Sequence, residues 1–304
     1  MSNIVTAKVE FCRNVKGFPF CSKLEGKQSA LMELIFNTCK ESKLATTNLN
    51  DVNCDVIDNL KAKYLLDKNF EMNSCSAFAS NLTNDTFVEI GNVDHIRIGG
   101  VGENIYTAYD KAKKLDKQFC NKLNFMYNDK YGFLTPNLQN IGSGIIVKVY
   151  VMLPAITKLN IQSMLKKACD KMMFNVVNLS NGLYEICSGA NLGLTEKQVL
   201  EYADNYIKKI LKLEQEACKQ LAQNQDEILD KTLRAKAILR SCFLIDANEL
   251  CELVGDILIA INSGLENEFS NEKICSLLLS ISSINNSTEN NKELAKNIKN
   301  ILNN

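Results

Sequence analysis

Four consecutive residues, Asp94-His95-Ile96-Arg97, set a carboxylate, the one imidazole of the chain and one of its four guanidiniums side by side. Such a set could hold a phosphate-like anion through Arg97. It suits a brace equally well, with Asp94 and Arg97 pairing across a turn and His95 as a satisfied polar residue. Two glycine-bearing loops could approach a ligand. GGVGEN (99–104) could be taken for a phosphate cradle, but a lone glycine-rich loop is weak evidence of one. FLTPNLQNIGSG (133–144) feeds the apolar run IIVKVYVMLP and contains no nucleophile, acid, base or cation. Gly142 and Gly144 there fit a tight turn before a buried strand, or an anion nest.

Composition removes several functions. Acidic and basic residues balance at 35 each, so no global field favours nucleic acid or an anionic membrane. With neither an 18-residue apolar run nor a basic-then-apolar leader, a cytoplasmic chain is expected. The 12 cysteines are scattered from Cys12 to Cys275 without a CxxC, and His95 is alone, so no Cys/His metal site is expected. Reduced core thiols are, with Cys12, Cys21 and Cys187 packing rather than reacting. Only four arginines stand against 31 lysines, which leaves few of the planar forks that clamp phosphates.

The elements that must position these groups follow from hydrophobic period. NIVTAKVEFCRN alternates as a strand, and TFVEIGNVDHIRIGG reads as two short strands around a turn. KQSALMELIFNTCKESK and DVNCDVIDNLKAKYLL read as helices. A long helix opens near Asn104 with Ile105, Ala108, Ala112, Leu115, Phe119 and Leu123 on one face. Ile145–Leu153 is a buried strand, NIQSMLKKACDKM a helix, and FNVVNLSNGLYEICSGANLG a hairpin. Thr195 and Gln198 form a capping box opening a helix to Leu221, with Val199, Ala203, Ile207, Ile210, Ala217 and Leu221 as its stripe. Beyond about 225 only helical periods remain, over 226–243, 247–262, 271–282 and 289–302. The expected fold is α+β: an antiparallel sheet flanked by helices over 1–222, then a small all-helical domain over 223–304.

Five stretches, in order, resemble motifs of one family: VTAKVEFCRNVKGFPF, NVDHIRI, YGFLTPNLQNIGSGIIVKVYVMLP, YEICSGANLGLTEKQ and LDKTLRAKAILRSC. Their family counterparts begin SSRIRLARNLKGYPF and NEEDHLRI. The chain is identified as a member of the bacterial protein-arginine kinases, relatives of arginine and creatine kinase with the guanidino-kinase catalytic fold. The resemblance covers nearly the whole chain, which begins almost on the first motif, so the family's leader is expected to be missing. It implies transfer of the γ-phosphoryl of MgATP to a protein arginine. That reaction requires phosphates held in line by arginines, with carboxylates that align and deprotonate the guanidinium.

At the positions implied by the resemblance, most of that equipment is replaced. The two arginines of the first motif fall on Lys8 and Glu10. Arg97 and His95 are kept as remnant nucleotide-site positions, whereas the catalytic glutamate beside them falls on Val93. A nucleotide-site histidine falls on Tyr64, the loop cysteine on Asn137 and the following arginine on Ile146. Arg13 and Asn14 are kept as structural residues. The family's glutamate-bearing loop has no counterpart, and NNKELAKNIK replaces an arginine-rich segment that reads phosphoarginine. Each lost charge-assisted phosphate contact costs roughly 1.5–3 kcal/mol, so three such losses with one reversal weaken ATP by about 10³–10⁴.

The expectation is a cytoplasmic pseudokinase in arginine-phosphorylation, Clp-type proteolysis or stress control. No catalytic residue and no metal site is assigned, and no cofactor is expected, with MgATP bound only if family activity persists. Its partners would be proteins: an intact arginine-kinase paralogue, an activator protein, a Clp-type chaperone, or a second copy in a dimer. Nucleic acid and membrane are excluded. The alternative is a divergent active kinase using Lys8, Arg97, Lys148 and an unidentified carboxylate, and a third reading is a structural partner with an empty cleft.

Overall fold

The structure, a computed structural model, describes residues 3–303 except 25, 68–69, 190 and 282–286. Among the described residues the strands are β1 (Ile4–Arg13), β2 (Ala45–Asn48), β3 (Ala77–Ser80), β4 (Thr86–Ile90), β5 (Ile96–Gly102), β6 (Tyr127–Asn128), β7 (Gly132–Phe133), β8 (Ile145–Met152), β9 (Asn175–Ser180) and β10 (Leu183–Cys187). The α-helices are α1 (Gln28–Glu41), α2 (Cys54–Ala62), α3 (Ile105–Cys120), α4 (Pro154–Lys158), α5 (Gln162–Lys171), α6 (Glu196–Leu221), α7 (Gln225–Ser241), α8 (Ala247–Asn262), α9 (Asn271–Leu279) and α10 (Thr288–Asn303). The helix expected over 271–282 ends at Leu279, and Ser282 lies outside the described residues.

Eight strands form one sheet in the order β2-β3-β4-β5-β1-β8-β10-β9, while β6 and β7 pair apart. The β2–β3, β3–β4, β4–β5 and β5–β1 pairings are antiparallel. The fold is thus mixed α and β around a large antiparallel sheet. Beyond Cys187 every described element is a helix or loop, and no described helix is long and apolar enough to cross a membrane.

Two compact units are present: Ala7–Lys148 with Cys187–Ala203, and Met1–Thr6 with Val149–Ile186 and Asp204–Asn304. The 222/223 boundary expected from sequence rests on local pattern, whereas these units follow packing. In the second unit, buried Glu214 on α6 caps the short helix α4, accepting from the Ala155 and Ile156 amides at 2.7 and 3.0 Å.

In the first unit, register divides the central strands into a polar and an apolar face. Glu10 lies opposite Gly99 and Cys12 opposite Arg97, while Glu89 of β4 also faces Arg97. Directly opposed residues share a face, so Lys8, Glu10, Cys12, Glu89 and Arg97 line one side. Val9, Phe11, Ile96 and Ile98 are buried on the other. The stripe expected on α3 is buried over Ile105, Ala108, Ala112, Leu115 and Phe119, but the helix ends at Cys120, so Leu123 is buried beyond it rather than on it.

Asn104 opens α3: its Oδ1 accepts from the Tyr106 and Thr107 amides at 3.0 Å, and Thr107 Oγ1 accepts from the Asn104 amide at 3.3 Å. GGVGEN therefore enters a helix. Its first two glycines permit close packing: a Cβ at Gly99 would enter the Phe87 ring, and one at Gly100 would strike the Ala108 carbonyl.

Candidate functional site

The polar face carries a cluster of charges almost shut off from solvent, all within the unit that holds Ala7–Lys148. Lys8 and Glu10 alternate along β1 onto this face, and their side chains meet at 2.9 Å between Lys8 Nζ and Glu10 Oε1. Lys148, on β8, reaches Glu10 Oε2 at 3.2 Å. Arg97 lies 3.9 Å from Glu89 and, through Nε, 3.5 Å from Asp94. At the centre is Asp67, in the segment that follows α2. Its Oδ1 accepts from Lys8 Nζ at 3.3 Å and from Lys148 Nζ, and its Oδ2 accepts from Arg97 Nη1 at 2.7 Å. Asp67 is the member of this group most open to water, at 21% side-chain exposure against 0–10% for the others.

Three cations thus face four carboxylates. Burial alone would raise the carboxyl of Asp67, but Lys8, Lys148 and Arg97 outweigh it and hold the group well below its ordinary range. Burial opposes Glu10 ionisation too, and Lys148 and Lys8 reverse the balance, leaving it lowered. Glu89 goes the other way: burial, with Arg97 offsetting only part of it, lifts its carboxyl to about 7. With that proton in place the cluster is neutral, three positive against three negative.

The positions singled out from sequence separate into three groups. Lys8, Glu10 and Arg97 meet in the cluster, and Lys148 joins them. Ile146 and Tyr64 are buried, Tyr64 with a left-handed backbone at φ 60°. Val93 and Asn137 are exposed. His95 is buried, and its ring is used internally: Nδ1 accepts from the Val15 amide at 2.9 Å, which leaves the proton on Nε2 to be donated to the Pro19 carbonyl at 2.7 Å. Burial, the largest influence, lowers its pKa. Asn14 fastens the same turn, donating to Asp94 Oδ1 at 2.8 Å and accepting from the His95 amide at 3.0 Å.

The loop 133–144 is held by Arg13. Its guanidinium lies 3.6 Å from the Phe133 ring centroid and donates through Nη1 to the carbonyls of Cys12 and Ser143. Gly144 has φ +67°, and a Cβ there would press on that guanidinium and the Cys12 carbonyl. Asn137 accepts from the Gln139 amide at 3.0 Å, capping a short turn. The shape of this loop is therefore explained by backbone fastening.

Two residues central to the cluster, Asp67 and Glu89, were not singled out from sequence. Glu89 could have been found from alternation, because it falls on the same face of its strand as Phe87. Asp67 has no local signal: its partners lie 30–81 residues away. The oxygens of Glu10, Asp67 and Glu89 lie within 4.8 Å of one another, close enough for a metal ion to bridge, but Lys8, Lys148 and Arg97 already supply positive charge there.

Comparison with known proteins agrees with this architecture. Residues 28–217 match the model of the ATP:guanido phosphotransferase C-terminal catalytic domain. A protein-arginine kinase of Clostridium acetobutylicum is 26% identical over 316 residues, covering 98% of this chain and 93% of the relative. One from Clostridium perfringens is 26% identical over 326 residues, covering 99% and 97%. Among solved structures, the duplicated taurocyamine kinase of Schistosoma mansoni with bound transition-state-analogue components superposes with a TM-score of 0.63 at 22% identity. That match covers 69% of this chain and 32% of the taurocyamine kinase chain. Lombricine kinase superposes with a TM-score of 0.57 at 14% identity, over 70% of this chain and 66% of its own. With the family model matched over more than half its length, the chain belongs to the ATP:guanido phosphotransferase family.

Proposed function

We propose that this chain is a pseudokinase of the protein-arginine kinase type, which keeps the fold and acts through protein partners rather than by phosphoryl transfer. The observation that carries this reading is the buried carboxylate of Glu10. It stands at a position where the family resemblance implies an arginine, and it neutralises the two lysines beside it.

The residues present do not fit MgATP. A triphosphate needs unspent positive charge, whereas Lys8, Lys148 and Arg97 are already in ion pairs with carboxylates. Among the described residues, the buried cluster atoms that make ion pairs at most and no hydrogen bond are Glu10 Oε1 and Oε2, Glu89 Oε2, Asp94 Oδ2 and Arg97 Nε, four of the five being carboxylate oxygens. Those oxygens repel phosphate. Val93 cannot serve as a base, and Asn137 cannot serve as a thiol.

A regulatory role beside an intact paralogue, an activator or a Clp-type chaperone fits a protein that keeps its fold without this chemistry. The competing reading, a divergent active kinase, draws on the survival of three cations on one face. Titration with MgATP, followed by thermal shift and by an acid-labile phosphoarginine assay on a protein substrate, separates the two. The pseudokinase predicts no shift at millimolar MgATP and no phosphoarginine. Phosphoarginine formation above a no-enzyme control overturns it.

A further inference from the structure

We infer that Asp67 is a built-in stand-in for an oxyanion: its carboxylate plugs a site for a small phosphate-like anion formed by Lys8, Lys148 and Arg97. The inference rests on the reading above only in taking these cations as a former phosphate site. Its geometry is independent of that reading. Three cations from three strands, β1, β8 and β5, converge on the two oxygens of one carboxylate. That is the coordination a phosphate or pyrophosphate oxygen pair would take. Because Asp67 is the most exposed member, its removal opens the cluster toward solvent.

The plug is fixed from both sides. After α2, Tyr64 turns the chain through a left-handed conformation, and the Leu65 and Leu66 amides both donate to the Leu60 carbonyl. Leu65, Leu66 and Phe70 then bury themselves against Leu49, Phe78 and Phe87. On the far side, the Phe70 amide donates to the Asp67 carbonyl at 3.0 Å. Burial of three apolar side chains around one carboxylate sets its position. The Asp67 carboxylate acts as a permanent counter-ion, and the anion site is latent while residue 67 carries its charge. Without that charge, Lys8, Lys148 and Arg97 face only Glu10, Asp94 and a Glu89 that titrates near neutrality. The balance then shifts by one positive unit.

The test compares wild type, Asp67→Asn and Asp67→Ser for binding of inorganic pyrophosphate at fixed ionic strength, by calorimetry and by thermal shift. Both variants should melt below wild type without ligand, recover part of the difference with pyrophosphate, and bind it at least tenfold more tightly than wild type does. Adding Lys148→Gln to Asp67→Asn should return the affinity to the wild-type level. If pyrophosphate binds the folded Asp67 variants no more tightly than wild type, or binds the Lys148→Gln double variant equally well, the plug is refuted. Serine at 67 guards against an amide that itself fills the site. These outcomes concern only the latent site: failure here leaves the MgATP result on wild type untouched, and the converse also holds.

Discussion

The Arg13 guanidinium and the Asp116 carboxylate meet in two parallel bonds, Nε to Oδ1 at 2.9 Å and Nη2 to Oδ2 at 3.1 Å, with both side chains buried. This fork ties β1 to α3 and leaves Nη1 free to hold the loop at the Ser143 carbonyl. Lysine cannot form two parallel bonds and also reach a third acceptor. Arg13→Lys should therefore destabilise the protein by about 3–5 kcal/mol, the usual cost of breaking a buried pair. Urea denaturation reads that loss, and hydrogen exchange at Gly142 and Phe133, whose amides bond across the loop, should accelerate. An unchanged midpoint would mean that the pair contributes little.

Gly99 illustrates packing that no side chain announces. A methyl group there would enter the Phe87 ring, which itself stacks on Phe78 at 5.7 Å between centroids. Gly99→Ala should cost about 1–3 kcal/mol through overpacking. In a Phe87→Leu background the same change should cost markedly less, because the obstructing ring is gone. Additive losses across that cycle would place the strain elsewhere.

Buried carboxylates set the response to pH. Burial raises Glu89 and Glu214 from an ordinary 4.5 to about 7. The folded chain then binds those protons more tightly than the unfolded chain does, so stability falls as pH climbs between these values. Glu10 and Asp67 are lowered, and what they contribute is present above the ordinary carboxylate range and lost only in acid below it. The optimum should thus lie near pH 5, about two units below neutrality. Glu89→Gln keeps an acceptor for Asn92 Nδ2 and removes the cost of ionisation, so it should raise stability at pH 8 by on the order of 2–3 kcal/mol and leave pH 5 nearly unchanged. Denaturation curves at the two pH values that shift in parallel would sink this assignment.

Much of this architecture was legible because it is periodic. The stripes of α3 and α6, the hairpin of β9 and β10, and the Thr195–Gln198 capping box all emerge where period and turn chemistry place them. What escaped has a physical reason. The strand β2, Ala45–Asn48, is exposed along its length and carries no alternation, so only pairing with β3 defines it. The helix α4 is five residues long and depends on Glu214, a cap supplied from 58 or more positions away. At the site, Lys8, Glu10 and Arg97 could be named from motif positions. Their pairing with Asp67 could not, because long-range charge complementarity leaves no mark within a sequence window.

That pairing leads to a last prediction about restoring chemistry. Val93 and Asn137 are exposed, so Val93→Glu and Asn137→Cys can return the carboxylate and thiol that the family resemblance implies without disturbing the core. If missing catalytic groups were the whole defect, the double variant would gain phosphoryl transfer. The cluster argues otherwise. On that reading a thiol and a base are of little use to a triphosphate whose cations are already spent, and Glu10 and Asp67 keep Lys8, Lys148 and Arg97 paired. The double variant incubated with MgATP and a protein substrate should yield no acid-labile phosphoarginine. Reopening the phosphate site by Glu10→Arg with Asp67→Asn should precede any gain, seen first as a thermal shift with MgATP. Transfer by the Val93→Glu, Asn137→Cys variant alone would show that the neutralised cations still serve a nucleotide, and the pseudokinase reading would then be wrong.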